Sequence, residues 1–107
     1  RGFVRYEKLS DFAGAIRDFD AALGLSPAEP DVYYNRGNAK TLAGDHVGAI
    51  ADYDKALQIK PDYGAAYFNK GITLLKLKEV APACSSWDKA LASGVAHAAT
   101  LIQTYCR

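Results

Sequence analysis

The sequence has few of the features that mark metal-binding, disulfide-rich, nucleic-acid-binding or membrane proteins. Its only two cysteines are Cys84 and Cys106, which are too few for a disulfide framework and lack the paired spacing of a structural zinc site. Thirteen basic and 12 acidic residues leave a net charge of +1, so no global field attracts nucleic acid. No apolar run approaches the roughly 20 residues that span a bilayer. We therefore expect no nucleic-acid partner and no membrane span.

Candidate catalytic groups are also sparse. His46 and His97 are not at metal-ligand spacing, no serine or cysteine has an evident base, and no glycine-rich phosphate loop is present. Recurrent aspartates are predicted to lie on exposed helix faces, where carboxylates are solvated or pair with nearby lysines. These aspartates are Asp18, Asp20, Asp52, Asp54 and Asp88. We therefore expect that the protein is not an enzyme and uses no cofactor or metal.

What the sequence does contain is an internal period. The number of residues between Phe19 and Tyr53 equals the number between Tyr53 and Trp87. The same spacing links further identical residues in threes: Ala15, Ala49 and Ala83; Asp20, Asp54 and Asp88; Ala22, Ala56 and Ala90; and Leu23, Leu57 and Leu91. It also links identical residues in pairs: Pro27 and Pro61, Tyr33 and Tyr67, Asn35 and Asn69, and Gly37 and Gly71. A fixed period of this length predicts stacked repeat units in a chain that is 50% hydrophobic and long enough for one domain.

Each unit is predicted to be a pair of helices. Ile50, Tyr53 and Leu57 fall at i, i+3 and i+7, which is the spacing of one apolar helix face. A preceding helix is expected over 31–43, with Gly44 at its end and Asp45 as the cap of the next helix. Mid-helix glycines at 37 and 71 indicate a close approach of the second helix, at Ala49 and Ala83.

The sequences YYNRG at 33–37, YFNKG at 67–71 and AIADYDKAL at 49–57 resemble the tetratricopeptide repeat family, whose unit is about 34 residues long. The resemblance covers nearly the whole chain and implies an all-α fold, a right-handed superhelix of antiparallel helix pairs. We divide the chain into a truncated repeat 1 (1–29), repeat 2 (30–63), repeat 3 (64–94) and a capping helix (95–107). Within these units we expect helices at 2–9 and 12–25 and hairpins at 31–59 and 64–93.

The two ends of the array are expected to differ. At the C-terminus, Val95, Ala99, Ile102 and Cys106 form one line at i+3 and i+4 spacing that would face the last repeat, as terminal repeats require. At the N-terminus an uncapped edge around Phe3 and Tyr6 would favour self-association. The chain begins at Arg1 rather than Met, which leaves open whether a signal peptide, an upstream domain or both precede it in the parent protein.

A second stripe on the first helices predicts a binding surface. Tyr34, Asn38 and Leu42 form it in repeat 2, and Phe68, Ile72 and Lys76 hold the matching places in repeat 3. The resemblance implies that first helices line a concave groove that accepts an extended peptide or a partner's helix. Asn35 and Asn69 would offer a donor and an acceptor to a peptide backbone. The alternative is that Tyr34 and Phe68 only pack against the neighbouring repeat.

Two charged residues are not expected to contact a ligand, and one binding mode of the family is not expected here. Arg36 and Lys70 are expected to be solvated side chains that extend past the stripe. One subset of the family clamps the C-terminal carboxylate of chaperones with several cations. Here Tyr34, Ala65 and Asn69 stand where Lys or Arg would be needed, so chaperone-tail binding is not expected.

The cysteines allow two readings. Cys84 holds the place of Ile16 and Ile50 and could serve as a small buried hydrophobe. A hairpin that turns near Gly94 would bring Cys84 and Cys106 to the same level, which predicts a disulfide between them. A bridge would indicate an exported or periplasmic protein and reduced thiols a cytoplasmic one.

The residues and the resemblance together predict a non-catalytic protein–protein interaction module with a protein or peptide ligand. The alternative left open is a structural or self-assembling segment of a longer helical solenoid.

Overall fold

A computed structural model describes the backbone of residues 2–26 and 28–106, and the side chains of 12–26 and 28–106. Over these ranges the chain forms helices and no strands, which confirms the all-α prediction. The helices are α1 (Gly2–Leu25), α2 (Pro30–Ala43), α3 (His46–Ile59), α4 (Gly64–Lys76), α5 (Val80–Ala92) and α6 (Ala98–Tyr105). Each helix packs against the next one in the chain, most extensively in the pairs α2–α3 and α4–α5. These two pairs are the predicted hairpins.

Local sequence explains where the first hairpin turns. Gly44 has a positive φ of 95° and ends α2, and Asp45 Oδ1 accepts a hydrogen bond of 3.0 Å from the Gly48 N–H at the start of α3. In the next unit Lys78 holds the place of Gly44 and also has a positive φ, 64°. A side chain is strained there, so only a well-packed hairpin can hold it.

The N-terminal segment differs from the prediction. Two helices were expected, at 2–9 and 12–25, but α1 runs without a break from Gly2 to Leu25. Ser10 stands where Gly44 ends α2 one period later, so this segment lacks the glycine that favours a left-handed turn. The side chains of Phe3 and Tyr6, on which the exposed-edge prediction rests, lie outside the described residues.

The last helix occupies the place of a further repeat. The helices α2, α4 and α6 begin at Pro30, Gly64 and Ala98, which are successively one period apart. The predicted start at 95 is wrong because the chain first turns at Gly94, where φ is 102° and the Val95 N–H bonds to Ala90 O at 3.0 Å.

The buried face of α6 is wider than the predicted line. Val95, Ile102 and Cys106 do pack against the core, but the fully buried residue is Ala98, and Leu101 packs beside it. Cys84 and Cys106 are joined, with 2.03 Å between the sulfurs and 5.9 Å between the Cα atoms. This pairing is the one that the hairpin geometry predicts, and it ties the residue after α6 to α5.

An aromatic ring fills each hairpin. Tyr53 and Trp87 are 1% and 0% exposed, and each lies against a glycine of the partner helix. A Cβ added to Gly37 would lie 2.8 Å from Tyr53 Cε1 and 3.2 Å from Ala49 O, while one added to Gly71 would lie 2.6 Å from Trp87 Cδ1. The predicted close approach is therefore present, although at Gly71 the nearest neighbour is Trp87 rather than Ala83.

Charged residues link α2 and α3, contrary to the expectation that they are solvated. Asp52 is 3% exposed and accepts two hydrogen bonds from Arg36, from Nε at 2.8 Å and from Nη2 at 2.7 Å. Lys40 Nζ lies 3.2 Å from the same carboxylate. The bond to Asp52 raises the pKa of Arg36 further above its usual range. The prediction that Asp52 is exposed is therefore wrong, because these two cations of α2 hold its carboxylate inside the hairpin.

A second kind of ion pair joins successive repeats. Arg36 Nη1 also pairs with Asp20 of α1, and Lys70 Nζ pairs with Asp54 of α3 at 2.6 Å. Arg36 and Lys70 are one period apart, and so are Asp20 and Asp54. The period therefore repeats a contact between units as well as the helices themselves.

The fit of Gly71 against Trp87 can be tested by substitution. We expect Gly71→Ala to destabilise the fold by about 1–3 kcal/mol, because the buried indole has no room to move and overpacking costs this much despite the better helix propensity of Ala. Gly14→Ala is the matched control, since Gly14 is also inside a helix but a Cβ added there would meet no described side chain or neighbouring helix within 4 Å. It should stabilise α1 by up to about 1 kcal/mol. Urea unfolding measures both, and equal effects would contradict the packing account.

The buried carboxylate can be tested in the same way. We expect Asp52→Asn to lower the free energy of unfolding by about 2–3 kcal/mol, because it leaves the partly buried Lys40 without a counter-charge and Arg36 with only the exposed Asp20. Asp54→Asn removes a carboxylate that is about half exposed and should cost under about 1 kcal/mol. Thermal and urea unfolding of the two variants should separate them clearly. If Asp52→Asn were as mild as Asp54→Asn, the buried pair would not stabilise the α2–α3 hairpin.

Candidate functional site

A cavity of about 400 Å³ opens between α2 and α4, above Tyr53 of α3. Five of the predicted groove residues line it: Asn38, Leu42, Asn69, Ile72 and Lys76. Three other residues complete the lining: Thr41, Tyr53 and Thr73. The sequence pattern did not predict them. We call the surface formed by these eight residues the groove.

The floor of the groove is a hydrogen-bonded pair of asparagines. Asn69 Nδ2 donates to Asn38 Oδ1 and to the Tyr34 hydroxyl, both at 2.9 Å. The hydroxyl of Tyr53 also donates to Asn38 Oδ1, and burial raises the pKa of Tyr53, which keeps its proton in place. Each amide is thus fixed in orientation by groups of a neighbouring helix.

The side-chain amide of each asparagine has one polar atom that forms no hydrogen bond to the described residues. Within the part of the chain that the structure describes, neither Asn38 Nδ2 nor Asn69 Oδ1 has a hydrogen-bond partner. The sole buried side-chain polar atom without a partner in that part is His46 Nδ1, so both amide atoms are open to solvent. The groove therefore offers one donor and one acceptor at fixed positions.

Two threonines extend the polar contact between α2 and α4. Thr73 Oγ1 donates to the Asn69 carbonyl oxygen at 2.9 Å, which leaves its lone pairs free to accept from Thr41 Oγ1 at 3.2 Å. Thr41 lies three residues after Asn38, and Thr73 lies four residues after Asn69. That spacing places each threonine one helical turn from its asparagine and is the sequence signal that could have identified them.

The remaining predicted groove residues lie elsewhere. Tyr34 packs on Tyr63, with ring centroids 5.0 Å apart, and Phe68 packs on the core cluster around Trp87. The packing alternative thus describes Phe68, while Tyr34 both packs and binds Asn69. Asn35 is exposed and lies outside the cavity lining. Asn35 stands one period before Asn69, but the asparagine that contacts Asn69 is Asn38.

The groove has apolar walls and a positive charge at its rim. Leu42 is 65% exposed, and it lines the cavity together with Ile72. Lys76 is exposed and forms no ion pair with any residue that the structure describes. Lys40 and Lys70, by contrast, are paired with Asp52 and Asp54. The free charge at the groove is therefore that of an ammonium group.

Two other classes of site are absent from the described residues. No group of three or more His, Cys, Asp or Glu is placed to hold a metal ion there. None of the helices described combines the length and the apolar character needed to cross a membrane.

Comparisons with known proteins identify one repeat in the sequence and show which solved structures share the fold. Residues 30–63 match the family model of the tetratricopeptide repeat. The first tetratricopeptide repeat domain of Spaghetti (RPAP3), solved with the HSP90 peptide SRMEEVD, superposes with a TM-score of 0.85 and 19% identity, over 95% of this chain and 82% of that one. No curated protein sequence matches the chain.

Two further solved structures have the same fold. The type III secretion translocator chaperone SycD of Yersinia enterocolitica has a TM-score of 0.85 and 17% identity, over 96% of this chain and 77% of that one. MamA has a TM-score of 0.75 and 29% identity, over 78% of this chain and 48% of that one, so the match spans about half the length of MamA. The chain therefore contains a tetratricopeptide repeat at residues 30–63 and has the fold of tetratricopeptide repeat proteins.

Proposed function

We propose that the chain is a non-catalytic interaction module that holds an extended peptide or protein segment in the groove between α2 and α4. The observation that carries this proposal is the asparagine pair at the floor of the cavity. Asn38 Nδ2 and Asn69 Oδ1 are oriented by their own neighbours and open to solvent. A peptide backbone presents the complementary groups, a carbonyl oxygen and an N–H, at every residue.

Preorganisation makes this pair suited to binding. Tyr53 and Tyr34 hold the two amides before any ligand arrives, so little side-chain entropy is lost when a ligand binds. Hydrogen bonds to backbone groups are independent of the ligand's side chains. The asparagines would therefore supply affinity, and the rest of the groove would supply selectivity.

Selectivity would come from Leu42, Ile72 and Lys76. An aliphatic or aromatic side chain of the ligand would cover Leu42 and Ile72 and remove apolar surface from water. Lys76 would favour an acidic group nearby. Two structures of the same fold support binding of peptides in general: the Spaghetti domain is bound to an HSP90 peptide, and SycD has been solved with a peptide of the translocator YopD.

A cation-rich carboxylate clamp remains unexpected. Tyr34 and Asn69, two of the residues at positions where such a clamp needs Lys or Arg, are hydrogen-bonded to each other. The alternative function, self-assembly through Phe3 and Tyr6, rests on side chains outside the described residues. No observation among the described side chains favours it.

The asparagine pair can be tested with peptides selected on the protein. A 12-residue random phage library panned against the oxidised chain supplies the probe, and fluorescence anisotropy measures its dissociation constant. We expect Asn69→Ala to weaken binding about tenfold, because it removes one ligand contact and frees Asn38 to reorient. Asn35→Ala is the matched control and should leave affinity unchanged, since Asn35 lies outside the groove.

Circular dichroism of both variants checks that the fold is kept. Unchanged affinity in Asn69→Ala, with the fold intact, would show that the groove assignment is wrong. A library that yields no specific binder would contradict the proposed function itself.

A further inference from the structure

The short helix α6 stands where the first helix of another repeat would stand. It begins one period after α4, just as α4 begins one period after α2. It packs on α5 just as α4 packs on α3 and α2 on α1. Ile102 packs on the core cluster around Trp87, and so does Phe68, its equivalent one period earlier. Because the groove lies between the first helices α2 and α4, α6 would continue that surface beyond α4.

The period also places a further amide on this surface. Gln103 stands one period after the groove residue Asn69. Gln103 is exposed, and its amide carries the same donor and acceptor as asparagine. A ligand long enough to pass over α4 would reach it on α6.

The polar contacts that join α4 to the preceding repeat have no counterparts at α6. One period on from Tyr34, Asn38 and Asp31 stand Phe68, Ile72 and Ala65, which have no polar side-chain atom. Thr104 replaces the cation of Lys70 and bonds within α6, to Thr100 O at 2.9 Å. In the described part of the chain, no side-chain hydrogen bond or ion pair links α6 to another helix.

At this interface a disulfide, rather than polar side-chain contacts, joins α6 to the preceding repeat. Cys84 and Cys106 hold the places of Ile50 and Ile72 one period earlier, and both isoleucines pack on the same core cluster. A covalent bond thus replaces an apolar pair at the joint between repeats. Apolar packing of Ala98, Leu101 and Ile102 also holds α6, but the helix has only 8 residues and isolated helices shorter than about 12–15 residues are marginal in water. Both cysteines are partly exposed and within reach of a reductant.

We infer that the Cys84–Cys106 disulfide is a redox latch that sets the length of the concave groove. In the disulfide form α6 is docked and Gln103 extends the groove, while reduction releases α6 and leaves only the part between α2 and α4. The latch itself is independent of any ligand, and its effect on peptides rests on the proposed function.

The chemistry is thiol–disulfide exchange with a dithiol. One thiolate of the dithiol attacks a sulfur of the pair, the bond between Cys84 and Cys106 breaks, and the released thiolate takes a proton. The second sulfur of the dithiol then attacks the mixed disulfide and releases the second cysteine thiol. The dithiol ends as a cyclic disulfide, having supplied two electrons and two protons.

Hydrogen exchange tests the latch directly. We expect the amides of 98–105 to exchange about a hundredfold faster after reduction with dithiothreitol, the effect of opening a 22-residue loop in the chain-entropy model. The amides of 46–59, in α3, should be unaffected. Equal protection of α6 in the oxidised and reduced protein would overturn the inference.

A matched variant separates reduction from other effects of dithiothreitol. Cys84→Ile with Cys106→Ile introduces the residues that stand at these positions one period earlier, Ile50 and Ile72. Exchange in its α6 should not respond to dithiothreitol. If it responded as the wild-type protein does, the cysteines would not be the latch.

Peptide binding tests the extended groove separately. With a peptide selected on the oxidised protein, Gln103→Ala should weaken binding about fivefold, the effect of one lost hydrogen bond. The same substitution should have no effect in the reduced protein. If α6 is released on reduction but affinity does not change, the extended groove is wrong while the proposed function stands. If no peptide binds in either state, the proposed function fails and the exchange data still decide the latch.

Discussion

The structure depends on the packing of one aromatic ring against one glycine in each hairpin. Tyr53 against Gly37 and Trp87 against Gly71 bring the two helices of a unit closer than side chains at those glycines would allow. This contact also connects the core to the groove, because the ring that fills the first hairpin carries the hydroxyl that orients Asn38. One period after Gly71 stands Tyr105, whose ring lies 5.8 Å from that of Trp87.

The contacts between repeats follow a different rule from those within a hairpin. Ion pairs recur at the full period, from Asp20 with Arg36 to Asp54 with Lys70. The hydrogen bonds that build the groove do not recur, because their partners have apolar equivalents in the next unit. Each joint between units is therefore individual: the joint between repeats 2 and 3 carries polar groups that can serve a ligand, and the joint between α5 and α6 carries a disulfide. Binding and regulation would thus be assigned to different joints of one array.

The period made the helix pairs predictable from the sequence, including the turn at Gly44 and the cap at Asp45. It made the site only partly predictable. Equivalent positions such as Asn35 and Asn69 share a place in the repeat, but neighbouring helices meet diagonally. Asn69 therefore meets Asn38, 31 residues away, and Thr73 meets Thr41, 32 residues away. The burial of Asp52 was not predictable from the period, because it follows from a partner in α2. The prediction of two helices in place of α1 was wrong, because Ser10 lacks the conformational freedom by which a glycine ends a helix.

The central claim is that the first helices, and not the second, receive a ligand. The chain has five side-chain amides, at Asn35, Asn38, Gln58, Asn69 and Gln103, and each gives its own pair of NMR signals. In a titration of the oxidised ¹⁵N-labelled protein with a selected peptide, the account predicts that the amide signals of Asn38 and Asn69 shift most, while that of Gln58, on the outer helix α3, stays in place. Shifts centred on Gln58, with Asn38 and Asn69 unmoved, would contradict it.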